Sequence, residues 1–240
     1  MRFYKICYID FMMKSQSQRR VLVTGAAGAL GQKVCEEFLK KGDAVIGTFL
    51  DAQSLPPRLM SKNQIEWLSV NLSHPHELHQ KLKNLNIDVL VHCAGGFRFS
   101  MVDQLSDQDF DFLIDSNLKS SFYLVRELLP QMKEKNYGRL VFISSKSTFH
   151  PPAGMAAYCA SKAAINALVL SLAEEVKKFN IQVNAFLPTV IDTPANRMDM
   201  PQSDFSSWVN PSELAEMIYE MTTERRKSIH GALIPVAGRV

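Results

Sequence analysis

The sequence predicts a single α/β domain built on a doubly wound, seven-stranded, mostly parallel sheet with helices on both faces. Short apolar runs alternate with longer stretches of helical spacing along the chain. The strand-like runs are continuously apolar, which is typical of a parallel sheet covered on both sides. The chain has 240 residues, of which 46% are hydrophobic, so it is long enough for one sizeable core.

The first half of the chain contains four predicted strands, at residues 21–24, 44–49, 65–70 and 89–93. A glycine-rich turn follows the first strand. The next segment carries apolar residues at helical spacing from Leu30 to Phe38 and stops at Gly42, a typical helix end. A second helix is predicted at residues 75–85, because Pro75 is tolerated in a first turn, where its missing N–H costs nothing.

The second half contains three further predicted strands, at residues 139–144, 181–187 and 232–236. Two long helices are predicted, one at residues 106–135 with a break near Asn117, and one at residues 155–179 that is rich in Ala and Leu. A proline-rich and polar stretch at residues 188–211 is the predicted substrate loop. A helix at residues 212–223 follows it and precedes the last strand.

Composition and charge exclude several classes of function. The net charge is +3 and Lys and Arg form no long run, which argues against a nucleic-acid partner. No segment is predicted to be long enough to span a membrane. The four cysteines have no metal-ligand spacing with histidine, so we predict no metal site and a cytoplasmic protein with reduced thiols. Residues 1–19 are predicted to be a disordered or loosely packed extension of a domain at residues 20–240.

Candidate site residues follow four of the predicted strands. Gly25 comes after the first strand, Gly95 after the fourth, Ser145 after the fifth and Pro188 after the sixth. Ligands of open parallel sheets bind outside the carboxyl ends of the strands. The sequence therefore predicts that these distant segments converge on one crevice.

The turn from Thr24 to Gly31 is the predicted phosphate site. Its glycines, Gly25, Gly28 and Gly31, allow a tight turn and a close approach of the backbone to a pyrophosphate. The helix that follows adds free N–H groups and a partial positive charge at its N-terminus. This position, between a strand and an amphipathic helix, favours dinucleotide binding.

Tyr158 and Lys162 lie four residues apart, so their side chains share one face of the predicted helix. A free tyrosine has a pKa of about 10, and a nearby ammonium lowers it by favouring the phenolate. Such a pair can give or take a proton near neutral pH.

These residues together resemble the short-chain dehydrogenase/reductase family, from about Arg20 to the C-terminus. Asn117, Ser145, Tyr158 and Lys162 match the four catalytic residue types of the family at its spacing. The resemblance implies a Rossmann-type fold and hydride transfer between a nicotinamide cofactor and a small-molecule carbonyl, imine or pterin-like substrate. It also implies that Tyr158 exchanges the proton and that Ser145 holds the substrate oxygen. Lys162 lowers the pKa of Tyr158 and bonds the nicotinamide ribose, and Asn117 holds a water that links Lys162 to solvent.

The resemblance also implies a cofactor site. Its predicted residues are Gly25, Gly28, Ala29, Leu30, Gly31, Phe49, Asp51, Asn71, Leu72, Ala94, Gly95, Gly96, Tyr158, Lys162, Pro188 and Thr193. Ala29 stands where the family's middle glycine usually falls. An acid at the end of the second strand would favour NAD, but Phe49 occupies that position and Asp51 comes two residues later. NAD and NADP both remain open, with Asp51 slightly favouring NAD.

A narrower resemblance, to the dihydropteridine reductases, comes from the glycine turn and from the loop between Pro188 and Trp208. It departs from that group because Asn117 and Ser145 are present and Phe49 replaces an acid. The predicted substrate residues are Phe97, Phe99, Asn196 and Trp208. Two alternatives remain, a short-chain reductase of an aliphatic or acyl-linked ketone and a dinucleotide-binding regulator without activity.

The two long helices exceed what one face of the sheet needs. In the family such helices pair across a dimer axis, and the second helix offers small, apolar residues for close packing, namely Ala163, Ala164, Ala167 and Leu168. We therefore predict a homodimer or homotetramer.

Overall fold

The computed structural model describes residues 18–50 and 64–238. The predicted N-terminal extension lies almost entirely outside these residues, and so does Asp51. The sheet has seven strands in the order β3-β2-β1-β4-β5-β6-β7, and every pairing between them is parallel rather than mostly parallel. The strands are β1 Arg20–Thr24, β2 Ala44–Phe49, β3 Ile65–Ser69, β4 Val89–His92, β5 Gly138–Ile143, β6 Ile181–Pro188 and β7 Ala232–Val236.

The helices lie close to their predicted positions. They are α1 Ala29–Lys40, α2 Pro75–Leu82, α3 Asp107–Leu113, α4 Ser120–Glu134, α5 Ala156–Val176, α6 Pro194–Asp199 and α7 Pro211–Met221. A π-helical segment, Ile114–Lys119, joins α3 to α4, so the break predicted near Asn117 is a widened turn and not an interruption. The predicted loop at residues 188–211 contains α6 and a short 3-10 turn, Phe205–Ser207.

Alternating strand residues build the two faces of the sheet. Val21 and Val23 point into a core cluster with Val34 and Phe38 of α1, and α7 closes the same layer. Leu22, between the two valines, points into the opposite cluster, which α2, α4 and α5 cover. Successive residues of a strand face opposite sides, so both faces of the sheet are buried, as the sequence predicts.

Helix α5 is long and apolar enough, by length and composition alone, to cross a membrane, and it is the one such helix in the described part of the chain. The prediction that no segment reaches this length is therefore wrong for α5. Nine of its residues are buried, and Ile165, Val169 and Leu172 pack into the core beneath the sheet. Its apolar composition matches the role of a core helix in this fold.

Candidate active site

The carboxyl ends of the strands bring the glycine turn against the segment that follows β4. Gly25 has φ +61°, and a Cβ built on it would lie 2.8 Å from the backbone nitrogen of Ala94. A Cβ on Gly31 would collide with the Gly25 carbonyl oxygen. The Gly28 N–H donates to that same oxygen at 2.9 Å. The turn is therefore closed on itself, and two of its glycines cannot be replaced without moving backbone.

The start of α1 has the properties of a phosphate site. Its N-cap is Gly28, which has no side chain to cap the helix, and the first turn carries no acidic residue. The first N–H groups of a helix have no partner within it. Gln32, which the sequence prediction missed, donates from Nε2 to the Ala27 carbonyl at 2.6 Å and braces the turn. Ala29, Leu30 and Gly31 supply the N–H groups of this turn.

A cleft of about 420 Å³ adjoins the glycine turn and collects many of the predicted cofactor residues. Those lining it are Gly25, Phe49, Asn71, Leu72, Ala94 and Gly95. Residues from α3 and the π-helical segment close the other side, and these the sequence prediction missed: Phe112, Asp115 and Ser116, with Ser120 at the start of α4. A Cβ on Gly96 would meet the Phe112 ring, so the wall fits closely. The cleft has the composition of an adenosine pocket.

A buried histidine fixes the end of β4. His92 Nδ1 lies 2.7 Å from Thr24 Oγ1, and its Nε2 lies 3.2 Å from Ser120 Oγ. Ser120 gives its proton to the Ser116 carbonyl, so it accepts from Nε2–H, and Nδ1 accepts from Thr24. Burial lowers the pKa of His92 to about 3, which keeps the ring neutral. The ring therefore ties β1 and β4 to α4 beneath the cleft.

Asn117 connects the cofactor side of the site to α5. It is fully buried in the π-helical segment. Its Oδ1 accepts from the Gly96 N–H at 2.9 Å, and its Nδ2 donates to the Gly96 carbonyl at 3.0 Å and to Ser161 Oγ at 2.9 Å. The Asn117 carbonyl accepts from Ser121 Oγ. Through these bonds Asn117 holds the Gly96 segment against Ser161 of α5. Its role in holding a water stays a prediction.

Lys162 is buried at the end of β5. Its Nζ donates to the Ile143 carbonyl at 2.9 Å. A Cβ built on Gly95 would lie 3.1 Å from this Nζ and 2.7 Å from Asn117 Oδ1, so Gly95 packs between the two side chains. Burial lowers the pKa of Lys162 to about 8. The ammonium is therefore charged at pH 7 and loses its proton over a range close to neutrality.

Burial raises the pKa of Tyr158 above its ordinary value, and the neighbouring Ser145 hydroxyl opposes this rise. In this structure Nζ of Lys162 faces the Ile143 carbonyl. The lowering of the Tyr158 pKa by Lys162 therefore stays a prediction.

One of the four predicted substrate residues lies against Tyr158, and a second packs on the turn before α5. The Phe97 ring meets Tyr158 edge-on with 4.9 Å between ring centroids, and about half of Phe97 is exposed. Phe99 is 65% exposed and packs its ring against Gly154, in the turn before α5. Phe97 therefore places a half-exposed apolar ring beside the phenol.

Asn196 and Trp208 stabilise the loop instead. Asn196 Nδ2 donates to the Ile191 carbonyl at 2.8 Å, and its N–H is capped by Thr193 Oγ1. Trp208 is buried and packs on Phe205. Both side chains are used in packing and bonding within the loop, and their contact with a substrate stays a prediction. Pro188 ends β6 and is buried.

Comparison with known proteins decides the family. Residues 19–204 match the family described as short chain dehydrogenase. The chain belongs to the short-chain dehydrogenase/reductase family. A 3-oxoacyl-[acyl-carrier-protein] reductase, FabG, of Rickettsia typhi is 36% identical over 186 residues, which cover 76% of this chain and 75% of that protein. As a member of the short-chain family, the chain is an NAD(P)-dependent oxidoreductase.

Solved structures of short-chain enzymes share the fold. An oxidoreductase of this family from Burkholderia thailandensis superposes with a TM-score of 0.84 at 24% identity and covers 92% of each chain. ElxO with NADP bound gives a TM-score of 0.82 at 22% identity, over 91% of this chain and 97% of that one. The comparisons give no support to the narrower resemblance to dihydropteridine reductases.

Proposed function

We propose that the chain reduces the ketone of a 3-oxoacyl thioester with NAD(P)H. The observation that carries this proposal is the 36% identity to a 3-oxoacyl-[acyl-carrier-protein] reductase over three quarters of the chain. It favours an acyl-linked ketone over a pterin. The half-exposed Phe97 ring beside Tyr158, and the exposed Phe99 ring at the turn before α5, suit the acyl portion of such a substrate.

The bound nicotinamide would supply a hydride to the ketone carbon. Ser145 would donate a hydrogen bond to the ketone oxygen and hold it next to the Tyr158 hydroxyl. Tyr158 would give its proton to that oxygen as the hydride arrives, so the product is a 3-hydroxyacyl thioester. A tyrosine whose pKa is raised by burial stays protonated at pH 7 and can act as this acid.

Lys162 and Asn117 would prepare the cofactor side. The Lys162 ammonium, at the carboxyl end of β5, would bond the nicotinamide ribose and restore the proton of Tyr158 by way of solvent. Asn117 would hold the segment at Gly95 and Gly96 against α5. Its three side-chain hydrogen bonds, to Gly96 and to Ser161 of α5, support this role. The preference between NAD and NADP would be set by the residues at the end of β2, where Phe49 stands in place of an acid.

A substrate comparison tests the proposal. We expect acetoacetyl-CoA and a six-carbon 3-oxoacyl thioester to be reduced with a kcat/KM at least about tenfold above that of acetone or butanone, since a few buried methylenes each add affinity. The assay follows NADH and NADPH oxidation in separate series, which also gives the cofactor preference. Faster turnover of quinonoid dihydropterin than of either thioester would contradict the proposal. Binding of NAD(P)H without turnover of any ketone or pterin would instead favour a regulator.

We also propose that the chain forms a homodimer or homotetramer through α5. Ala163 and Ala167 lie one turn apart on its exposed face, and the nearby Leu170 is 48% exposed. Light scattering at micromolar concentration should give at least twice the mass of the chain, and Ala167→Arg should reduce it, because a charge would be buried in the contact. The matched control is Gln80→Arg on α2, which should leave the mass unchanged. A monomeric wild type would contradict this proposal.

The proposed setting is the cytoplasm. Cys93 and Cys159 are free thiols. Free thiols are typical of a reducing compartment and support this placement.

A further inference from the structure

We propose that Ser147 is a positioning residue that directs the hydroxyl proton of Ser145 toward the reacting oxygen. The inference rests on the proposed function, because it gives Ser145 a defined direction of hydrogen bonding in that reaction. Ser147 belongs to the 3-10 turn Lys146–Thr148, whose N-cap is Ser145. No family motif used in the sequence prediction includes Ser147.

Ser147 contacts Ser145 twice. Its backbone N–H donates to Ser145 Oγ at 3.3 Å, and its hydroxyl oxygen lies 2.7 Å from the same atom. A serine hydroxyl has one proton to donate and two lone pairs to accept with. The direction of the bond between the two hydroxyls therefore decides where the Ser145 proton points.

Cys159 is placed to favour one direction of that bond. Its thiol lies 3.4 Å from Ser147 Oγ and 3.6 Å from the Ser147 carbonyl, and the cysteine is buried next to Tyr158 on α5. A thiol that donates to Ser147 Oγ occupies one lone pair of that oxygen. The Ser147 hydroxyl is then favoured as the donor in its bond with Ser145. Bonds linked in one direction strengthen each other.

The consequence falls on Ser145. When the N–H and the hydroxyl of Ser147 both donate to Ser145 Oγ, both of its lone pairs are used. The Ser145 proton must then go to another acceptor, which is Tyr158 Oη or the substrate ketone oxygen.

The turn itself is held from α5. Thr148 Oγ1 donates to the Ser145 carbonyl at 2.8 Å, and Asn166 Nδ2 donates to Thr148 Oγ1 at 3.0 Å. These bonds do not involve the Ser147 hydroxyl. Removing that hydroxyl should therefore leave the turn in place while it frees a lone pair of Ser145.

The test compares Ser147→Ala with Ser147→Thr, which keeps a hydroxyl. We expect Ser147→Ala to lower kcat for acetoacetyl-CoA reduction about tenfold, the value of one net hydrogen bond. KM should change by less than about twofold, and the pKa of Tyr158 should rise by up to about one unit. Ser147→Thr should stay within about threefold of wild-type kcat. Equal losses in the two variants, or no loss in Ser147→Ala, would overturn the proposal.

A second measurement does not depend on the substrate. The tyrosinate absorbance of each variant is titrated against the same variant carrying Tyr158→Phe, so the difference reports Tyr158 alone. Ser147→Ala should move this titration to higher pH, and Cys159→Ala should move it the same way by a smaller amount. An unchanged titration in both would overturn the role of Ser147. A wild type that fails to reduce acetoacetyl-CoA would refute the proposed function, while the titration would still decide the role of Ser147.

Discussion

Tyr158→Phe is expected to lower kcat for 3-oxoacyl thioester reduction by about 10²–10⁴, the usual contribution of a positioned proton donor. In the proposed reaction the phenol protonates the ketone oxygen, and Phe97 packs against its ring. Phenylalanine keeps the ring contact and removes only the hydroxyl. Steady-state kinetics with NAD(P)H should therefore show a loss in kcat, and fluorescence titration should show a Kd for NAD(P)H within about threefold of wild type.

Tyr219→Phe is the matched control. Tyr219 lies on α7 and packs edge-on against Phe38. Helices α7 and α5 cover opposite faces of the sheet. This variant loses the same hydroxyl without touching the site, so its activity should remain at the wild-type value. Near wild-type turnover in Tyr158→Phe would show that another group supplies the proton.

Gly31→Ala is expected to weaken NAD(P)H binding by about a hundredfold, or about 2.7 kcal/mol. A Cβ at this position would collide with the Gly25 carbonyl and lie 2.8 Å from the Ala26 Cα. Both contacts are to backbone, so the turn must open, and the pyrophosphate would lose the first-turn N–H groups of α1. Fluorescence titration of the variant with NADH and NADPH measures the loss.

Gly42→Ala is the matched control, because it introduces backbone strain without a side chain near the phosphate turn. Gly42 has φ +90°, but nothing lies within 4 Å of a Cβ built on it, and it follows α1 at the end away from the turn. This variant should lose roughly 1 kcal/mol of stability through its backbone conformation and bind NAD(P)H at wild-type affinity. Equal Kd values for Gly31→Ala and wild type would contradict the assignment of the turn.

Much of the fold follows from local patterns in the sequence. The apolar spacing from Leu30 to Phe38 predicts α1, and the uninterrupted apolar strands predict a sheet buried on both faces, since each pattern reflects a burial that the chain must satisfy. The break near Asn117 was also predictable, although only the structure gives it as a π-helical turn. Six predicted cofactor residues line one cleft for the same reason, because parallel strands end at one edge.

The remaining site features depend on contacts between distant segments. Ser161 bonds Asn117 across 44 residues, and Ser147 meets Cys159 from a separate turn, so no local pattern indicates either pair. The effect of Lys162 on Tyr158 stays a prediction for a similar reason. Helical spacing places both residues on one face, but the direction of a long lysine side chain is set by its acceptor, the Ile143 carbonyl. Trp208 is also buried by contacts that its local sequence does not indicate.

Transfer of deuterium from labelled cofactor would show directly that the chain reduces a 3-oxoacyl thioester. Wild-type protein is incubated with acetoacetyl-CoA and nicotinamide cofactor that carries deuterium on both hydrogens of C4. Mass spectrometry should find one deuterium on C3 of the 3-hydroxybutyryl-CoA product in the wild type, and a yield reduced about 10²–10⁴ in Tyr158→Phe. Cofactor that binds but leaves acetoacetyl-CoA unreduced, or product without deuterium on C3, would contradict the assignment as a 3-oxoacyl thioester reductase.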